Sequence, residues 1–393
     1  MADNCFLSWA DDLERIIKDT IAPNANVVDR EGRFPRESID ALANAGFLTL
    51  TIARAEGGMG ASAAEFGTVV RRIAEVCAST AMVFVMHVTA LNSIIALRPS
   101  AQRERFIRQV VHDRMLVTEA ISEPGSGSQW WSVTSTAEET DEGYRIRAEK
   151  SFSTSAGHAD LYIVSTQTPG SESDRDHAIF AVRADQGEIA TGTWRGLGLA
   201  GNSSAWITFD SHVEKEALLY SGGDGEGLRH YNEVNQPIYH LGVSAAYLGI
   251  AAAALGACIE RVRSRQYQGD LSGYGTNLKD YPIARRHIGE MSIQLEAAQS
   301  TVRNFAARID AGEGLDDMAI QMTAVKVYCA EMAVKVAQQS MMACGGSAYA
   351  KDVLPVERHL RDAYAGSLMG PNDDFCKELI GKIAIEGTSY HDL

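Results

Sequence analysis

The stretch TEAISEPGSGSQW, Thr118 to Trp130, stands where the apolar period of the chain changes. Before it, LERIIKDTIAP, RESIDALANAGF and AAEFGTVVRRIAEVCAST space their apolar residues three and four apart, which gathers them on one helix face. Gly46 and EGGMGAS (Glu56 to Ser62) supply the stops between these helices. A further apolar segment, Ala81 to Leu97, contains His87 and reads as buried. After it, SVTSTAEETDEGYRIRA (Ser132 to Ala148) alternates about an acidic turn, as a hairpin does. ADLYIVSTQT, HAIFAVRA and SAWITFDSHV follow with β-branched and aromatic alternation. From about Gly223 the pattern is helical again, roughly over 227–266, 279–311, 315–343, 354–368 and 372–384. Long helices joined by short turns predict an antiparallel bundle. The expected class is α+β: a helical domain over 1–117, a mostly antiparallel β domain over 118–222 and a helical bundle over 223–393.

Composition narrows the function. Against 36 basic residues stand 51 acidic ones, a net charge of −15 in 393 residues. That balance argues against nucleic acid, whose phosphates need a basic face. The six cysteines are scattered without a CxxC pair, so neither a disulfide framework nor a metal site is expected. The N-terminal MADNCFLSWADDLERII places acids where a signal peptide needs basic residues and an apolar run. Ile238 to Cys258 is apolar, but it is rich in Ala and Gly and carries His240, which reads as a packed core helix rather than a membrane span. The expectation is a soluble cytoplasmic protein.

Four stretches carry candidate chemistry, each with a plainer reading beside it. In Thr118–Trp130, Gly125 and Gly127 permit close backbone approach and Ser122, Ser126 and Ser128 offer hydroxyls; a simple Ser/Gly turn explains them too. EKSFSTSAGHAD (Glu149 to Asp160) reads alone as a strand end. Arg261, Arg263 and Arg265 either complement a helix C-terminus or clamp a pyrophosphate. In CGGSAYAKD (Cys344 to Asp352), Gly345 and Gly346 either end a helix or bare their amides to a ligand. Glu357, Arg358, Arg361 and Asp362 of the following PVERHLRDA read as a solvated helix face.

Taken together, FPRESIDALANAGF, EGGMGAS, ISEPGSGS, KSFSTSAGHADLYIV, CGGSAYAKD and PVERHLRDA resemble, in order and spacing, the acyl-CoA dehydrogenase family over essentially the whole length. The resemblance implies that family's fold, an N-terminal helical domain, a middle β domain and a C-terminal four-helix bundle. It also implies FAD between the last two and a homotetramer or homodimer whose subunits share flavin contacts. Carried over residue by residue, Ile121 and Ser122 meet the flavin ring, and Gly127 and Ser128 run along the cofactor. Phe152 stands where the family commonly packs Trp on the flavin, and Thr154 where a hydroxyl approaches flavin N5. Arg265, Gly345 and Gly346 match residues that reach a neighbouring subunit's FAD, and Asn372 falls among the cofactor contacts.

The departures concern the base. Where the family places its catalytic Glu, in a sequence like YEGTS, this chain reads LMGPNDD (Leu368 to Asp374), so Gly370 occupies the base position. A minority of the family supplies that Glu from the first bundle helix, where this chain has Tyr239 beside His240. Met342, Gln268 and Gln129 also depart from the pattern. Abstraction of an α-proton needs a positioned base, and glycine cannot take a proton. His240 is the nearest candidate; Asp374 reads as the cap of the last helix, and His87 and His158 are weaker candidates. The implied function is FAD-dependent oxidation of an acyl thioester, bound to CoA or a carrier protein, by hydride transfer to flavin N5 with an unconventional base. The alternative is a flavin monooxygenase on the same fold that uses externally reduced flavin and O₂, and a third is a flavin-binding protein without turnover. An electron acceptor or a flavin reductase is the implied protein partner. Arg285, Arg286 and His287 are a candidate cluster for a CoA phosphate, or an exposed bundle face.

Overall fold

A computed structural model describes residues 3–127, 129–270, 272–387 and 390. The chain opens with α1 (Asp3–Ile16), which passes through a π-helical turn, Ile17–Ile21, into α2 (Ala22–Glu31). Next come α3 (Arg36–Asn44), α4 (Ala63–Ala74), α5 (Ala78–Ile95) and α6 (Ala101–Asp113). A reciprocal cap starts α4: the Glu65 amide donates to Ser62 Oγ at 3.2 Å, and the Ser62 amide to the Glu65 carboxylate at 2.8 Å. The apolar residues of α5 point to every side, and nearly all of the helix is buried.

The strands are β1 (Val117–Ala120), β2 (Thr136–Thr140), β3 (Gly143–Ser153), β4 (Leu161–Gln167), β5 (His177–Arg183), β6 (Glu188–Thr191), β7 (Ala205–Glu214) and β8 (Leu218–Tyr220). They form two sheets of order β1-β4-β5-β8 and β2-β3-β7-β6. The hairpin read around the acidic turn is β2–β3, in register from Thr136 opposite Arg147 to Thr140 opposite Gly143. One pair is parallel, β1 with β4, because the chain visits β2 and β3 in the other sheet between them. β4 and β5 are buried on both faces, and alternation explains how. Leu161, Ile163, Ile179 and Ala181 pack with α5 and α6, while Tyr162, Val164, Phe180 and Val182 join Ile146 and Phe209 of the other sheet.

The C-terminal region comprises α7 (Glu226–Ser264), α8 (Pro282–Asp310), α9 (Leu315–Cys344), a short α10 (Gly346–Tyr349), α11 (Val356–Leu368) and α12 (Asp373–Glu386). α7 packs against α4, α5, α8 and α9 and is the spine of the molecule. At Gly249 a Cβ would lie 2.5 Å from the Arg71 carbonyl oxygen, so glycine sets how closely α4 and α7 approach. α5 and α7 are both long and apolar enough to cross a membrane, but 83% and 72% of their most apolar windows are buried within the protein.

PVERHLRDA is not the solvated face that its charges suggest. Arg361 holds Asp29 at 2.6 and 2.8 Å and Glu357 at 2.8 Å. Arg358 reaches the Asn26 side chain at 2.7 Å and the Val76 carbonyl at 3.0 Å. Asp362 is buried and accepts the Leu199 amide at 2.7 Å. One turn of α11 therefore ties the N-terminal helices, a β-region loop and the bundle together.

Candidate functional site

The segment after β1 is pinned from below by a buried carboxylate. Glu123 accepts hydrogen bonds from the Thr134 amide and hydroxyl, both at 2.6 Å, and from the Ser135 amide at 3.0 Å. Lys150 Nζ, fully buried, stands 2.6 Å from the same carboxylate and 3.3 Å from the Ile121 carbonyl. Burial alone raises a carboxyl pKa; here the Lys150 charge and these hydrogen bonds outweigh it and hold Glu123 down at about 2. With its backbone fixed, the segment turns the exposed Ser122 side chain and the half-buried Ile121 to the outside. The Ser122 hydroxyl makes no hydrogen bond among the described residues. At Gly127 an added Cβ would meet nothing within 4 Å. Ser128 lies outside the described residues.

Beside it, the β3–β7 register slips between Lys150 and Ser153. The irregularity puts Phe152 at φ +54°, with the ring 71% exposed and edge-on to Trp194 at 6.4 Å. An irregular pairing of this kind re-aims a side chain, and here it leaves the ring on the surface above a backbone in the left-handed region. Ser153 Oγ donates to the Glu119 carbonyl at 2.7 Å and Thr118 Oγ1 to the Thr154 carbonyl at 2.7 Å, tying the bulge to β1. Thr154 Oγ1 lies 2.8 Å from Ser204 Oγ, so its hydroxyl is oriented from within the β domain.

Opposite stands α7. Its residues Tyr231, Asn235 and Tyr239 recur every four positions and so share one helix face. Tyr231 Oη donates to Glu119 Oε1 at 2.9 Å and Asn235 Nδ2 to the same oxygen at 2.7 Å. One turn further on, Tyr239 Oη donates to the Gly370 carbonyl at 2.7 Å. The loop around Gly370 is fixed from beneath by the fully buried Lys326, whose Nζ donates to the carbonyls of Met369 at 3.2 Å and Pro371 at 2.9 Å and to Asp373 Oδ1 at 2.8 Å. The cap of α12 is Asn372, whose Oδ1 accepts the Phe375 amide at 2.9 Å; Asp374, the cap expected from the sequence, has a fully exposed side chain.

The histidines are packed groups. Neither ring nitrogen of the fully buried His240 makes a hydrogen bond of ordinary geometry, and burial, aided by the Lys326 charge, drives its pKa down to about 3. His87 Nε2 lies 2.7 Å from the Leu48 carbonyl and its Nδ1 accepts the Val117 amide at 3.0 Å, which locks the ring as a neutral structural bridge. His158 stacks on Phe34 at 4.0 Å.

Arg265, Gly345 and Gly346 sit elsewhere. Arg265 ends α7 and lies over the Tyr267 ring at 5.1 Å. Its neighbour Arg261 donates to Ser347 Oγ at 2.8 Å, which joins the end of α7 to the glycine turn. Gly345 adopts φ +63°, ψ −150°, a conformation open essentially to glycine alone, and at Gly346 a Cβ would meet nothing within 4 Å. At 1.5 Å per residue, Arg265 lies roughly 50 Å along α7 from Tyr231. No hydrogen bond or ion pair among the described residues links the two ends.

A cavity of 280 Å³ opens beside the first site, lined by Trp130, Trp131, Asn232, Arg175, Arg229 and Tyr390 among others. Trp130 Nε1 donates to Asn232 Oδ1 at 3.0 Å, so the cavity wall meets α7 next to Tyr231. Asp176, on the same rim, is occupied by Ser171 Oγ and the Gly225 amide, while no described residue pairs with the Arg175 or Arg229 guanidinium. Arg285, Arg286 and His287 lie on α8 and do not line this cavity.

Three segments match acyl-CoA dehydrogenase domains: the N-terminal domain over 8–114, the middle domain over 118–212 and the C-terminal domain over 240–385. The chain belongs to the acyl-CoA dehydrogenase family. It is a flavin-dependent oxidoreductase with helical N- and C-terminal domains around a β-sheet domain. It is 27% identical over 372 residues to an acyl-CoA dehydrogenase of Bacillus subtilis (strain 168), covering 94% of each chain. Its fold superposes on butyryl-CoA dehydrogenase from Megasphaera elsdenii with TM-score 0.88, 23% identity and coverage of 97% and 98%. It also superposes on dibenzothiophene monooxygenase from Paenibacillus sp. A11-2 with TM-score 0.84, 22% identity and coverage of 96% and 97%.

The residues present fit a flavin: the exposed Phe152 ring, the Ser122 hydroxyl, unbonded among the described residues, and glycines at 127, 345 and 346 with open space where a Cβ would stand. Sequence reasoning missed Glu119, Tyr231, Asn235 and Lys326. Their one signal is a polar residue inside an apolar element, Glu119 in VTEA and Lys326 in TAVKVYCA.

Proposed function

We propose that this chain is an FAD enzyme that oxidises a saturated acyl thioester, bound to CoA or to a carrier protein, to its α,β-unsaturated form. When bound, the flavin supplies the hydride acceptor at N5. Ile121, Ser122, Gly127, Ser128, Phe152 and Thr154 hold its ring and chain on the β-domain side. Arg265, roughly 50 Å along α7 from Tyr231, and the Gly345–Gly346 turn that Ser347 joins to that end of α7 match residues that reach a neighbouring subunit's flavin, which supports a homotetramer or homodimer with shared sites. Exposed apolar side chains near that end, Met342 and Tyr349, also call for cover. Free cysteines at Cys77, Cys258, Cys329, Cys344 and Cys376 suit a reducing, cytoplasmic setting. Electrons then leave to a separate acceptor.

The observation that carries the thioester reading is the cavity. Its lining brings the guanidiniums of Arg175 and Arg229, which have no ion-pair partner among the described residues, together with the rings of Trp130, Trp131 and Tyr390, groups suited to phosphates and a planar base; Asp176 and Asp224 share the rim, and Trp130 ties the wall to Asn232 of α7. One observation favours the second reading, C- or N-hydroxylation by externally reduced flavin and O₂: no carboxylate occupies position 370. Anaerobic titration of the flavin-loaded protein with saturated acyl-CoA thioesters separates the two. Bleaching of the flavin supports dehydrogenation. No bleaching with any thioester, together with O₂ uptake once the flavin is reduced by a reductase, supports oxygenation.

A further inference from the structure

Glu119 is a buried carboxyl outside the residues that the resemblance assigns to the cofactor. It lies on β1, two residues before Ile121 and three before Ser122, and is only 7% exposed. Its Oε1 accepts both hydrogen bonds, from Tyr231 and Asn235, while Oε2 makes none among the described residues. No cation among the described residues pairs with it. The titratable groups facing it from α7 are Tyr231 and, one turn away, Tyr239; Asn235 also donates to Ser93 Oγ of α5 at 2.6 Å. Burial without a compensating cation pushes its pKa up to about 7, which these two hydrogen bonds only partly oppose.

Position decides its use. Tyr231, Asn235 and Tyr239 form one ladder on α7; the first two hold Glu119 and the third holds the Gly370 carbonyl. Asn235, which holds Glu119, and Tyr239, which holds the Gly370 carbonyl, are one helical turn apart on α7, so the same helix face serves the carboxyl and the loop where the resemblance places the family's base. Of the histidine candidates, His240 is sealed without a hydrogen bond of ordinary geometry, His87 is bound at both ring nitrogens and His158 is stacked on Phe34, while next to Gly370 Asp373 is tied to Lys326 and the Asp374 side chain is fully exposed.

We propose that Glu119 takes the substrate α-proton in this chain, in place of the carboxylate missing at residue 370. The inference rests on the thioester reading. The Cα–H bond breaks, its proton passes to Oε2 and its electron pair becomes the new carbon–carbon double bond, while the β-hydrogen leaves with two electrons to the oxidised flavin. Tyr231 and Asn235 hold the carboxylate in place and steady its charge as it waits.

The test compares flavin-loaded wild type with Glu119→Gln, which keeps acceptors for Tyr231 and Asn235, and with Glu119→Asp. Butyryl-, octanoyl- and palmitoyl-CoA are mixed anaerobically in deuterated buffer; α-hydrogen exchange is read by NMR and flavin absorbance in parallel. Infrared difference titration follows the carboxyl itself. Glu119→Gln is expected to retain flavin yet lose exchange and bleaching by roughly 10²–10⁴-fold. Glu119→Asp recovers part of both. The wild-type rate rises as pH is raised through neutrality, and that step and the matching infrared signal vanish in the Gln variant. Exchange and bleaching at the wild-type rate in Glu119→Gln would overturn the proposal and leave the thioester reading standing. Wild-type protein that exchanges and bleaches with none of the three thioesters overturns both. Loss of flavin in the Gln variant, with no carboxyl titrating near neutrality in wild type, assigns Glu119 a structural role and also overturns it.

Discussion

Glu123 and Lys150 show how single residues set this site. Both are buried, and removing one partner of such a pair strands the other charge. Lys150→Met is therefore expected to lower unfolding free energy by about 3–5 kcal/mol and to reduce flavin content, read by denaturant titration and by absorbance of the purified protein. Glu119 works in the opposite electrostatic sense. Its folded pKa is raised from 4.5 to about 7, so its contribution to stability is full below about 4.5 and is lost as pH rises through about 7. The loss amounts to about 3 kcal/mol, and Glu119→Gln should abolish it in unfolding curves taken at pH 5 and pH 8. None of these pairings was legible in the sequence. Glu119 and Asn235 are 116 positions apart, and Lys326 and Asp373 47, so only the fold brings them together. What could be read was the anomaly of a charge inside an apolar run.

At the scale of elements, periodicity gave nearly all that mattered. The hairpin, the strands β4, β5 and β7 and every long bundle helix follow from spacing alone, because each buries one or both faces against a continuous core. The short strands β1, β6 and β8 escaped, since three or four residues carry too little period to read. The slip between Lys150 and Ser153 escaped as well, although it is what turns Phe152 outward. The turn at Gly345 and Gly346 offers a clean separation of ligand from packing. Gly346 has open space where a Cβ would stand, so Gly346→Ala should leave stability within about 0.5 kcal/mol while weakening flavin retention. Unchanged flavin content in that variant would remove the turn from the cofactor site. The loop at Gly370 has similar room, and Gly370→Glu should raise the rate of flavin bleaching by octanoyl-CoA. A folded, flavin-loaded variant with no gain would mean that the pocket differs in more than its base.

The whole molecule is organised by α7, which runs from the Glu119 site to Arg265 and so presents one end to its own β domain and the other outward. Shared flavin sites across a subunit interface follow if both ends serve a ligand. Arg265→Ala should then lower flavin retention without changing the folded subunit, and sedimentation of the wild-type protein should give a dimer or tetramer; a flavin-replete monomer contradicts the shared site. The order helix, sheet, helix was plain from the sequence, and so was the glycine at 370 where the resemblance leads one to expect a carboxylate; the proposed substitute, Glu119, was not. The most direct measurement incubates flavin-loaded protein with octanoyl-CoA and an artificial electron acceptor, with and without labelled O₂, and weighs the product by mass spectrometry. The expected product is lighter by two hydrogens and forms equally well without oxygen. A product that carries an oxygen atom from labelled O₂, or none at all without it, would contradict dehydrogenation.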